Sequence, residues 1–69
     1  MEYAAFVKEK EPGVIRVSLR AKRRGDVAAI ASELGGGGHV KAAGCTLNMP
    51  LEEAVNLVKS KLNEAIKEL

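Results

Sequence analysis

The chain has 69 residues, 46% of them hydrophobic, and a formal net charge of +2 from 11 Lys and Arg against 9 Asp and Glu. A chain of this length makes one domain, burying only about 60% of its unfolded surface, and its apolar fraction is that of a globular protein rather than a disordered tail. The single cysteine excludes an internal disulfide and a cysteine-based zinc site; with no apolar run near the roughly 20 residues of a membrane span and no charged-then-apolar leader, a cytoplasmic protein with no membrane partner is expected.

Tyr3–Lys10 reads as a strand, and Glu11-Pro12-Gly13 as a turn in which Pro12 presets φ and Gly13 takes the positive-φ position. Val14–Arg20 alternates strictly. Ile15, Val17 and Leu19 fall on one face, and Arg16, Ser18 and Arg20 on the other. The spacing predicts the return strand of a hairpin, its apolar face in the core and its polar face outside. Among the arginines Arg20 suits bidentate phosphate contact best, because it lies where the strand meets the next loop. Lys22–Gly25 is a polar connection. Arg16, Arg20, Lys22, Arg23 and Arg24 fall within nine residues that contain no acid, so the basic character is local.

Asp26 is a good N-cap for a helix over Val27–Leu34, with Val27, Ile30, Ala31 and Leu34 on one face and Gly35 ending it. Beyond the glycines, His39–Gly44 reads as a short helical turn and Cys45–Leu47 as a short strand. Pro50 suits the first turn of a final helix that runs to Leu69. There Leu51, Ala54, Val55, Val58, Leu62, Ala65, Ile66 and Leu69 make one apolar stripe. The order points to an α+β fold: a small two-layer domain with a β-hairpin, a further short strand, and two main helices on one face of the sheet.

Gly35–Gly38 stands directly against His39, the only histidine. One glycine suffices to end a helix, so the other three need another cause. Two are open. One is a flexible connection, or a crossing too tight for side chains. The other is a backbone cradle in which consecutive N–H groups at the start of a following helical turn hold a phosphate or carboxylate. The run lacks the Gly-Lys-Ser/Thr ending of a Walker loop and the spacing and preceding strand of a dinucleotide fingerprint. His39 favours the cradle, because an imidazole can donate to a phosphate oxygen or stack on a base.

Catalytic groups are scarce. With one aspartate, Asp26, and one histidine, no His/Asp/Glu cluster could hold a catalytic metal. A triad of Ser18 or Ser32 with His39 and Asp26 would take Asp26 from its cap, and a Cys45–His39 pair lacks a third group to orient it. The chain by itself does not read as an enzyme.

Taken in register, Val17–Arg20, Gly25–Val27, Ile30-Ala31, Leu34–His39 and Ala42–Gly44 resemble the C-terminal DHH-associated domain of DHH-family phosphoesterases. Members include RecJ-type exonucleases, oligoribonucleases that also dephosphorylate phosphoadenosine phosphate, and cyclic-dinucleotide phosphodiesterases. The resemblance covers most of the chain and implies one substrate-binding domain over residues 1–69. The manganese ions and hydrolytic water of the family belong to an N-terminal Asp-His-His domain that nothing here matches, so this chain needs no cofactor of its own. It also implies that Gly36, Gly37, Gly38 and His39 contact phosphate and base of a bound nucleotide or short RNA or DNA, and that Ser18 and Arg20 contact phosphate. Ala21 stands where many members carry a second serine, which removes one hydroxyl contact. The rival expectations are a nucleic-acid-binding module outside any hydrolase, like the related domain appended to alanyl-tRNA synthetases, and an interaction domain that forms a homodimer through its last helix.

Overall fold

The computed structural model describes residues 2–22 and 25–67. Arg23 and Arg24 of the basic connection and Leu69 of the expected apolar stripe lie outside them. Strands β1 (Glu2–Glu11) and β2 (Val14–Lys22) form the expected hairpin around Pro12-Gly13, with a register shift between Glu9 and Glu11. Helix α1 (Val27–Glu33) follows, then strands β3 (Gly37–His39) and β4 (Ala42–Leu47), and the long helix α2 (Leu51–Lys67). The sheet order is β1-β2-β4-β3, antiparallel throughout, with both helices packed on one face.

The alternation of β2 is realised in full. Ile15, Val17 and Leu19 are buried while Arg16, Ser18 and Arg20 are exposed. Those three meet Cys45 and Leu47 of β4, Val27, Ile30 and Ala31 of α1, and Ala54 and Val58 of α2 in one aliphatic core. The final stripe is rotated slightly from its expected line. Leu57, absent from it, packs against the core, whereas Leu51 and Ile66 are exposed. Asp26 caps α1 as expected, its Oδ1 accepting from the Ala29 N–H at 3.1 Å. Pro50 sits one position ahead of α2, where its carbonyl accepts the first helical bond from the Ala54 N–H, and Glu52 and Glu53 complement the helix dipole.

One local expectation is overturned. His39–Gly44 is not a helical turn: it is the reversal between β3 and β4, with Val40-Lys41 at its tip and the strand beginning at Ala42. The local helix preference of a Lys-Ala-Ala stretch loses to sheet pairing, because Ala42, Ala43 and Gly44 all find partners on β2 and β3. The tip is held from outside the hairpin as well. The Ala21 N–H donates to the Lys41 carbonyl at 3.0 Å, and the Val27 N–H to the Val40 carbonyl at 2.9 Å.

Candidate functional site

With the β3–β4 reversal in place, the glycine run cannot be a cradle at the start of a helix. Gly35 and Gly36 instead close α1: the Gly35 N–H donates to the Ser32 carbonyl at 3.1 Å and the Gly36 N–H to the Ala31 carbonyl at 2.7 Å, with Gly35 at φ +86°. This is a complete Schellman cap, and it consumes two of the N–H groups that a phosphate would have used. Close approach explains two of the glycines. A Cβ on Gly36 would stand 2.1 Å from the Gly44 carbonyl oxygen, and one on Gly38 would stand 2.6 Å from the Ala43 Cα. The tight crossing therefore accounts for Gly36 and Gly38. Gly37 is different: a Cβ there would meet nothing within 4 Å, and its φ is not positive. Nothing within the described residues requires glycine at that position.

Directly paired residues of a sheet share a face, so the register assigns every candidate a side. One cross-strand row is Ala4–Arg20–Ala42–His39, and the next is Phe6–Ser18–Gly44–Gly37. Both lie on the face opposite the helices. Ser18, Arg20, Gly37 and His39 are thereby gathered on one exposed surface, while Gly38 falls on the core side and Gly36 stands at the helix end. Between the β2 pair and the β3 pair run Ala42 and Gly44; the Arg16 guanidinium lies against Gly44, 3.4 Å from where a Cβ would stand. The sequence offered no sign that Ala42 and Gly44 would stand between the candidates; only the strand register places them there. Among the described residues the side chains of Ser18, Arg20 and His39 make no hydrogen bond, whereas Arg16 donates to Thr46 Oγ1 at 3.3 Å. Of the two described guanidinium groups, Arg16 is engaged with Thr46 and Arg20 has no hydrogen bond among the described residues.

Charge separates two concavities among the described residues. One, of about 420 Å³, lies between α1 and α2 and carries the carboxylates of Asp26, Glu33 and Glu64 against a single lysine, Lys61. The other, of about 450 Å³, lies at the end of the sheet, where Arg20, Lys22 and Lys41 surround Ala42 without an acid. An anionic ligand is repelled by the first and attracted by the second. The second is continuous with the Arg20–Ala42–His39 row.

The nucleophile pairing of Cys45 with His39 is excluded by the sheet. Cys45 pairs with Val17 on the core face, and His39 shares the outer face with Arg20. Burial pushes the Cys45 thiol above its ordinary value, and the nearby Arg16 only partly offsets this. The thiol is buried and protonated at neutral pH, hence inert. Alkylation of the native chain by iodoacetamide at pH 8 should be slower than that of the urea-unfolded chain by more than about tenfold; equal rates would mean that Cys45 is accessible.

A four-stranded antiparallel sheet with both helices on one side, and Ser18, Arg20 and His39 on the other, defines a small α+β class of domain. Residues 1–68 match the DHHA1 domain, and the chain belongs to that family. Among curated proteins, the bifunctional oligoribonuclease and PAP phosphatase NrnA of Thermus thermophilus is 44% identical over 66 residues, a match covering 91% of this chain and 19% of that protein. The chain thus spans about a fifth of the length of this relative.

Proposed function

We propose that this domain is the nucleotide-gripping part of a DHH phosphoesterase, holding a short oligonucleotide or a phosphorylated nucleotide while a separate catalytic domain hydrolyses it. The observation that carries the proposal is the pair of adjacent rows on the open face, Arg20–Ala42–His39 and Ser18–Gly44–Gly37. In this arrangement the Arg20 guanidinium donates two parallel hydrogen bonds to phosphate oxygens and the Ser18 hydroxyl donates a third. The His39 ring donates to the phosphate or stacks on the base. Gly37, with no Cβ, lets ligand atoms approach the β3 backbone. The relative from Thermus thermophilus, named as an oligoribonuclease and PAP phosphatase, supports a ligand that combines base and phosphate.

Manganese ions, the metal of the family, would belong to the N-terminal catalytic domain. Among the described residues no three His, Cys, Asp or Glu side chains could hold a metal ion. The part proposed for this chain is to bind and orient the ligand. No helix among the described residues is long and apolar enough to cross a membrane.

Titrating the chain with adenosine 3′,5′-bisphosphate, a diadenylate and a 20-nucleotide single strand, at 50 and 200 mM salt, tests the proposal. Saturable binding of the two short ligands, with a shallow salt dependence, is expected. Affinity that keeps growing with length, with a steep logarithmic salt slope, would instead mark a backbone-reading module. Binding of none of the three would overturn nucleotide recognition altogether.

A further inference from the structure

The chain has two aromatic residues, and the fold treats them in opposite ways. Tyr3 packs against the aliphatic core, whereas Phe6 is 62% exposed on the open face of the sheet, the most exposed large hydrophobic residue among those described. Leaving that ring in water forgoes the gain that burial would bring, and none of the residues assigned to the nucleotide site above accounts for it. Its neighbours are informative. Phe6 pairs with Ser18, its row continues to Gly44 and Gly37, and along its own strand it stands between Ala4 and Lys8, which pair with Arg20 and Arg16. An exposed aromatic ring beside a hydroxyl and two guanidinium groups, one of which (Arg16) reaches against Gly44 of the same row, has the composition of a single-strand stacking platform.

We propose that Phe6 stacks the second base of a short oligonucleotide whose first nucleotide occupies the Arg20–His39 end of the face. Its role rests on nucleotide binding at the adjoining rows. Phe6 and His39 stand on the two edge strands, three strand spacings apart, or about 14 Å at ~4.8 Å per spacing. One base cannot meet both rings. A ligand with one base engages His39, with its phosphate at Arg20 and Ser18, and leaves Phe6 empty; a ligand with two bases crosses β2 and meets both. The open face thereby distinguishes an oligonucleotide from a phosphorylated mononucleotide by length, with basic groups along β2 between the two base positions.

The test is a comparison of the chain with Phe6→Ala and Phe6→Trp, followed by two-dimensional NMR titration with adenosine 3′,5′-bisphosphate and with a diadenylate. Because Phe6 is exposed, both variants should keep the native spectrum away from the site. Phe6→Ala should weaken diadenylate binding roughly tenfold and leave the mononucleotide within about twofold, and Phe6→Trp should restore the loss. Equal affinity of Phe6→Ala and the unmodified chain for the diadenylate would overturn the stacking role, while Arg20→Ala still losing both ligands would leave the phosphate site standing. If Phe6→Ala weakens both ligands equally, Phe6 is not a second-base platform. If neither ligand shifts any resonance of the unmodified chain, the phosphate site and the platform fall together.

Discussion

Gly36→Ala should destabilise the chain by more than about 3 kcal/mol, leaving it largely unfolded at 37 °C, whereas Gly37→Ala, one residue away, should fold normally. The difference follows from what a methyl group would meet. At Gly36 it would stand 2.1 Å from the Gly44 carbonyl oxygen and 2.6 Å from the Cys45 Cβ, so the backbone of β4 itself would have to move. β4 is a central strand, paired on both sides, and cannot yield without disturbing the core below Cys45. A domain of this size has a total stability of roughly 3–10 kcal/mol at the usual per-residue value, so one such clash takes most of it. At Gly37 the same methyl would enter open space with no strained φ, and Ala even removes some entropy from the unfolded chain. Urea denaturation of the two variants measures both. If Gly37→Ala folds but loses nucleotide affinity, the glycine serves the ligand; if it folds and binds as before, backbone approach at β3 is not part of recognition. A Gly36→Ala midpoint close to that of the unmodified chain would show that β4 can yield after all.

Arg20→Ala should lower affinity for a phosphorylated mononucleotide about 10- to 100-fold with little change in stability. Hydrogen bonds to charged groups contribute roughly 1.5–3 kcal/mol, each 1.4 kcal/mol is tenfold in affinity, and Arg20 is exposed and makes no hydrogen bond among the described residues. Arg20→Lys should recover part of the loss, because the point charge remains and the planar fork does not. Lys41→Ala is the control. Lys41 lies at the rim of the same basic concavity, at the β3–β4 tip, and a merely steering charge there should cost only a few-fold in affinity, more at low salt than at high. Equal losses for Arg20→Ala and Lys41→Ala, both vanishing at high salt, would reduce Arg20 to diffuse attraction and remove its direct phosphate contact. Isothermal titration at two salt concentrations separates the outcomes.

The helix face and the two tight glycines build the fold; the open sheet face is the one proposed to grip a nucleotide. Ser18 and Arg20 were legible because the alternation of β2 turns them outward and the family resemblance singles them out, and His39 because it is the only histidine and stands at the exit of the glycine run. Phe6 was not, since a lone phenylalanine in a strand reads as core until its partner Ser18 is known to face solvent. The glycines were legible as a signal and misleading as a mechanism. Four in a row suggested a phosphate cradle, yet the structure gives Gly35 and Gly36 to the helix cap and Gly36 and Gly38 to close packing, leaving only Gly37 without an internal reason.

By itself the sequence determined what is set by local periodicity and local chemistry. Strict alternation made β2 and its core face, Pro12-Gly13 made the hairpin turn, Asp26 made the start of α1, and the spacing of Ala54, Val58 and Leu62 made α2. Tertiary structure decided everything that depends on which strand lies beside which. Only the β1-β2-β4-β3 order puts His39 level with Arg20 across Ala42, sets Gly37 level with Ser18 across Gly44, and drives Cys45 to the opposite side from the histidine. The physical reason is that β3 and the first half of β4 owe their extended form to partners: Gly37-Gly38-His39 and Ala42-Ala43-Gly44 have little intrinsic strand preference, and the pairing of β4 with β2 and of β3 with β4 supplies it.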